Sequence, residues 1–304
     1  LHGLRPEDPL LITSIKSVEL TQPNAGRPDR VWRLLRGHTG VLFGLVLIAV
    51  MVGAALLAPW LFTGEVTTMD PINRLKAPSG NYWFGTDMYG RDLYTRTVYG
   101  ARISLVVGLC VMGLSLTIGL FIGLLSGYLR LLDAVIMRIM DGLMAIPGIL
   151  LAIAMIALAG ASLTTVVLAI TIPEIPRVVR LVRSVVLTIR EEPYVEAALT
   201  AGTRLPKMLL RHILPNTVAP LIVQGTYVCA SAIITEALLS FLGAGIPPET
   251  PTWGNIMAEG RALFQVSPWV IFFPGICLAL TVLAINVLGD GLRDTLDPRI
   301  ARRM

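Results

Sequence analysis

The chain has 304 residues, 54% of them hydrophobic and only 15% charged, with a mean hydropathy of +0.72, which excludes an ordinary water-soluble domain and a disordered chain alike. The net charge of +5 does not indicate nucleic-acid binding, because the basic residues fall in tails and connections between apolar runs. Cys110, Cys229 and Cys277 lie in apolar stretches without C-x-x-C spacing, so neither a disulfide framework nor a zinc site is expected.

Residues 1–38 read as a polar tail carrying Arg5, Lys16, Arg27, Arg30, Arg33 and Arg36. Its last part, Trp32 to Arg36, suits an amphipathic lead-in at a membrane surface, where lipid is the partner. Residues 39–62 hold no charged side chain. At about 1.5 Å per residue such a run crosses a ~30 Å hydrocarbon core with some tilt, and it is longer than a cleavable signal segment. Residues 63–98 are expected outside the membrane and are too short for a core of their own. Within them, 84–92 is a glycine-containing loop in which Asp92 suits the N-cap of the next helix. It lacks the spacing of a phosphate-binding loop. A scaffold role and a role in gating or receptor docking both remain open.

Residues 99–292 hold five further expected spans. The uncharged run 103–129 places Ser115, Gly119, Gly123 and Gly127 at every fourth position, a stripe that lets two helices approach closely, either within the chain or against a partner. Residues 142–173 are also uncharged, but one helix of that length would measure about 48 Å and overshoot the bilayer. Gly160-Ala161-Ser162 suits a tight turn between two spans, the second running on through Pro173 and Pro176 to Arg177, Arg180 and Arg183. A fifth span covers 217–235 and continues past Glu236 to residue 242, and a sixth covers 262–289. Residues 293–304 form a second polar tail. Six spans place both tails, Arg130, Arg138 and the basic residues of 177–211 on one side, which the positive-inside bias makes the cytoplasm. Five spans would put the 190–215 connection outside with its basic residues.

That connection, 190–215, reads as a helix–turn–helix. Pro193 suits the first turn of a short helix, and Gly202 suits its left-handed stop. Pro206 is tolerable only in the opening turn of a second helix, and Pro215 is expected to end it. On the following span Gln224, Tyr227, Ser231 and Thr235 share one helical face. Polar groups facing lipid are costly, so this face turns either to neighbouring spans or to a water-filled passage. Glu236 reads as the clear intramembrane acid, near the outer end of its span where water reaches it. Packing or capping and solute contact both stay open for it. Trp253 and Trp269 suit an outer aromatic belt.

Glu196-Ala197-Ala198, then Gly202, then His212-Ile213-Leu214-Pro215 resemble the EAA loop of binding-protein-dependent ABC transporter permeases. His212, where the general pattern has Ile, is similar to the peptide and nickel branch. Residues 84–92, 99–105, 240–254 and 286–298 resemble the same branch. The resemblance implies an all-α integral membrane protein of the type I importer permease fold, with six transmembrane helices and a cytoplasmic coupling loop. It implies that Glu196, Ala197, Ala198, Gly202, His212, Leu214 and Pro215 dock an ATPase. It implies a second homologous permease, two ATP-binding cassette subunits that hold ATP and Mg, and an extracytoplasmic substrate-binding protein, in a bacterial inner membrane. This chain itself is expected to carry no cofactor and no catalysis, in keeping with the absence of G-x-S-x-G, H-E-x-x-H and Walker A patterns. Peptides or glutathione-like peptides are the expected solutes, with nickel as the alternative within the branch. A self-sufficient carrier, the alternative of another class, would need a broken-helix site or a chain of buried acids.

Overall fold

The computed structural model describes residues 39–61 and 68–296. The first tail with its 32–36 lead-in, residues 62–67 and the end of the second tail from 297 lie outside the described residues. The described regular structure is helical, apart from one isolated antiparallel bridge between Thr86 and Asp92. Helix α1 is Thr39–Leu61, α2 Leu93–Tyr128, α3 Arg130–Ala145, α4 Gly148–Ala159 and α5 Leu163–Arg190. Then come α6, Pro193–Thr200, α7, Leu205–Met208, and a π-helical turn over Leu209–Ile213. The chain ends with α8, Leu214–Phe241, α9, Trp253–Gly260, and α10, Trp269–Leu296.

The chain passes along the bundle six times. By length and apolarity, four helices are long enough to cross a bilayer as they stand, and the bent pair α3–α4 is a fifth candidate. The remaining pass is α5, where Glu174, Arg177, Arg180 and Arg183 dilute the apolar run.

The third crossing departs from a single helix beginning near residue 142. Pro147 disfavours the helical region for the residue before it, and Ile146 is extended at φ −91°, ψ 127°. The chain therefore bends by 86° between α3 and α4. Amphipathic α3 is tied to α5 by Asp133–Arg183 at 2.5 Å and Asp141–Arg180 at 2.6 Å. At the far end of α4, Gly160 takes φ +85° and Ser162 caps α5 by accepting from the Thr165 amide. The expected hairpin is there. Pro173 and Pro176 sit inside α5 without ending it, although neither has an N–H to give the carbonyl four residues earlier.

The small-residue stripe packs within the chain. Ser115 is fully buried, and a Cβ on Gly119, Gly123 or Gly127 would lie 2.5–2.6 Å from Val178, Val182 or Val186 of α5. These valines are themselves buried, so α2 and α5 meet almost backbone to backbone along their length.

At the end of the bundle opposite residues 190–215, a four-membered ion cluster straps segment 84–96 to α9. Arg96 Nη1 lies 2.5 Å from Asp87 and 2.9 Å from Glu259, and Arg91 bonds the same two acids at 2.6 Å each. Asp92 caps α2 through the Thr95 amide, as its position suggests. Trp253 is fully buried against Gly100 and donates to the Thr97 carbonyl at 3.0 Å, so it belongs to the core and not to an interfacial belt. Trp269 is half-buried and donates to Thr86. Among the described residues the strongly exposed tryptophans are Trp60 and Trp83.

Replacing Gly123 with leucine forces α2 and α5 apart. Overpacking of this kind costs about 1–3 kcal/mol, so the thermal midpoint of detergent-solubilised protein falls. Gly113→Ala on the same helix, where a Cβ meets nothing within 4 Å, leaves the midpoint unchanged. Equal midpoints for the two variants would show that the stripe does not carry the packing.

Candidate functional site

Two groups of residues stand out, one at the 190–215 end and one midway along the bundle. In the first, α6 is opened by Pro193 and carries Glu196 in its first turn, where a negative charge favours the helix dipole. Gly202 turns the chain at φ +75°, and the Gly202 and Thr203 amides reach back to Leu199 and Ala198 at 2.9 and 3.1 Å. That is a glycine-terminated helix stop.

The expectation that Pro215 ends the second short helix is corrected. The chain stays helical from Leu205 to Phe241. The π turn over Leu209–Ile213 widens the coil, with the Leu214 amide bonding Leu209 five residues back. Pro215 thereby falls in the opening turn of α8, where its missing N–H costs nothing.

Three fully buried side chains, Val195, Met208 and Ile213, fasten this unit to the core that also holds Val186 and Ile189 of α5. Ala198 and Leu214 are half-buried against the same core. Glu196, Ala197, Gly202 and Pro215 are exposed, with Leu199 and Leu210 beside them. Among the described residues the Glu196 side chain has no hydrogen bond or ion pair. His212 is half-buried, and its carbonyl accepts from Asn216 at 2.9 Å and from the Tyr194 hydroxyl at 3.5 Å. Burial and the Glu192 carboxylate raise the Tyr194 hydroxyl above the ordinary phenol range, against the hydrogen bond from Asn216, so it remains protonated.

The second group surrounds a half-open cleft of about 510 Å³ where the α3–α4 bend, α5 and α8 meet. Pro147 and Gly148 line one wall, Pro173, Glu174 and Arg177 a second, and Ser231 and Thr235 a third. The face Gln224–Tyr227–Ser231–Thr235 is therefore divided. Ser231 donates to Glu174 at 3.1 Å, while the Tyr227 hydroxyl turns to Asp290 of α10 at 2.5 Å. Gln224 is half-buried and lies outside the cleft lining.

Glu236 is not reached by water. It is fully enclosed, accepting from Ser104 of α2 at 3.0 Å and from Ser240 at 2.9 Å, and joins α2 to α8. Reading it as the clear intramembrane acid overlooked Glu174. Glu174 is 7% exposed, midway along α5, and bonded by Arg177 at 3.0 and 3.2 Å. The signal in the sequence is an acid just after a proline at the end of an uncharged run, where the helix is expected to be leaving the membrane.

A model of the binding-protein-dependent transport system inner membrane component matches residues 115–302, spanning α5, the whole of 190–215 and α8. The chain belongs to this family. A model of the N-terminal TM domain of oligopeptide transport permease C matches residues 29–78 of the permease. The permease is 55% identical over 273 residues to a probable peptide ABC transporter permease of Sinorhizobium fredii, covering 90% of this chain and 94% of the relative. It is 40% identical over 296 residues to a dipeptide transport system permease of Alkalihalophilus pseudofirmus, covering 94% and 97%. A glutathione transport system permease of Pectobacterium atrosepticum is 42% identical over 273 residues, 88% of this permease and 89% of that one. It is a multi-pass inner-membrane protein with the type I importer permease fold.

In the ion cluster at the opposite end, Arg96 is 2% exposed. Glu259→Ala leaves it with Asp87 alone, and breaking a buried pair by removing one partner costs on the order of 3–5 kcal/mol. Such a variant should show a lowered thermal midpoint in detergent, with Glu259→Gln intermediate. An unchanged midpoint for Glu259→Ala would mean that the cluster is hydrated and contributes nothing.

Proposed function

We propose that this chain is the membrane-spanning subunit of an ATP-driven importer of short peptides. It pairs with a second, homologous permease to enclose the path, with two ATPase subunits in the cytoplasm and a substrate-binding protein outside. ATP and Mg bind the partner subunits. The observation that carries this reading is the seating of 190–215: an exposed face of Glu196, Ala197, Leu199 and Gly202 on a unit fastened to α5 and α8 by three fully buried side chains. A partner that moves this face moves the two helices bearing Glu174, Ser231 and Thr235. His212, Leu214 and Pro215 hold the unit in line with α8.

The names of the three relatives support short peptides over nickel. A self-sufficient carrier is not favoured, because the family is one of binding-protein-dependent systems. The clustering of basic residues supports a cytoplasmic 190–215, with both termini on that side. Ser231 and Thr235 border the translocation path, with Glu236 supporting their helix from behind, while Gln224 and Tyr227 lie outside the cleft.

The topology is tested by a cysteine at Thr203 in a chain whose Cys110 is replaced by serine. It should react with an impermeant thiol reagent in inside-out vesicles and not in intact cells; labelling in intact cells refutes the orientation.

Coupling is tested at Gly202 and Glu196. A Cβ on Gly202 meets nothing within 4 Å, so Gly202→Val acts through the backbone alone, at about 1–3 kcal/mol for a non-glycine residue at positive φ. Gly202→Val and Glu196→Lys should abolish ATP-driven uptake with normal insertion in the membrane, while Gly202→Asn, which tolerates this conformation, retains it. Full uptake by both Gly202→Val and Glu196→Lys rules out this loop as the coupling element.

A further inference from the structure

The cleft between α4, α5 and α8 holds a carboxylate whose position a purely structural ion pair does not explain. Glu174 lies eleven residues into α5 from Leu163, about 17 Å along the helix axis and so near the middle of a ~30 Å core. A charge at that depth is costly and is retained where it faces protein or a water-filled cavity. Glu174 faces both. Its Oε1 accepts from Ser231 at 3.1 Å and from Arg177 Nη1 at 3.0 Å, and its Oε2 accepts only from the same Arg177 nitrogen, at 3.2 Å. A carboxylate takes about four hydrogen bonds, so Oε2 has capacity to spare on the cleft side. The side chain of Arg177 is 57% exposed, whereas Ser231 holds the carboxylate from the opposite wall. Apart from Thr235 and Gly148 the rest of the lining is apolar or proline, among it Ile146, Pro147, Ile149 and Leu238. At about 510 Å³ the cleft is in the range that encloses a small molecule.

We propose that Glu174 is the carboxylate of the translocation path that receives the N-terminal ammonium of a peptide in transit. Arg177 is its counter-ion while the cleft is empty. When the peptide enters, the ammonium takes the Oε2 side and Arg177 swings away from Glu174, leaving its guanidinium for the peptide's carboxylate. The cleft thus favours a zwitterion over a molecule blocked at its amine. This assignment rests on the peptide-importer reading and deepens it, by naming the residue that recognises the solute inside the membrane.

The test uses the assembled complex in nanodiscs, with Cys110→Ser and a reporter cysteine at Thr235, which lines the cleft without touching Glu174. Alkylation of the reporter is followed without binding protein or ATP, in the presence of alanylalanine or N-acetyl-alanylalanine. Alanylalanine should slow alkylation and the acetylated analogue should not. In Glu174→Gln, protection by alanylalanine should weaken roughly tenfold or more in apparent affinity, as expected for loss of one charge-assisted hydrogen bond, and Glu174→Asp should restore part of it. Basal alkylation without peptide reports that the cleft is intact in each variant. Equal protection by the two peptides, equal protection in Glu174→Gln, or no protection at all overturns the assignment. If that happens while the wild-type complex still imports peptide with ATP, only this assignment fails. Absence of ATP-driven peptide uptake by the wild type removes the importer reading and this assignment with it.

Discussion

The structure depends on the close approach of α2 and α5. Gly119, Gly123 and Gly127 leave no side chain between the helices, and Val178, Val182 and Val186 fill the space that remains. In lipid, where apolar surface gains little from turning away from its surroundings, such contact is the main source of helix association. It fixes α5 along most of its length, and α5 is the element that carries Glu174 at mid-depth and leads at Arg190 into the proposed coupling loop. A helix held less firmly would absorb a push from that loop without passing it on.

Along that line the helical hydrogen bonding is interrupted at two places. Pro173 and Pro176 remove two backbone donors from α5 just where the cleft opens. The π turn at Leu209–Ile213 instead shifts the hydrogen bonding to five residues back at the base of α8, and such turns occur often at functional positions. Between them, Val195, Met208 and Ile213 lock the short helices to the bundle. In the proposed coupling, displacement of the exposed loop face would reach α5 and α8 through these three side chains.

Buried polar groups are handled with the same economy. Among the described residues, no buried side-chain nitrogen or oxygen lacks a hydrogen-bond partner. Glu236 is enclosed by hydroxyls and ties α2 to α8. The Asp87–Arg91–Arg96–Glu259 cluster ties the opposite-end segment to α9. Glu174 differs from both in opening onto a cleft beside an exposed counter-ion, as the proposed contact with a solute requires.

The sequence by itself determined the helical membrane class, the turn at Gly160, the cap at Asp92 and the left-handed stop at Gly202. Each of these follows from local chemistry: runs without charge, side chains that cap amides, and a residue without a Cβ at positive φ. Tertiary structure decided what local chemistry leaves open. Only the packing of α2 on α5 assigned the small-residue stripe to the inside of one chain. The bend at Pro147 and the continuous helix through Pro215 were settled by what surrounds each proline, since the same residue breaks one helix and opens another. Burial likewise separated the two acids, enclosing Glu236 and leaving Glu174 on a cleft. Which side chains share a space depends on distant segments such as α4 and α8, and no spacing along α5 records that meeting.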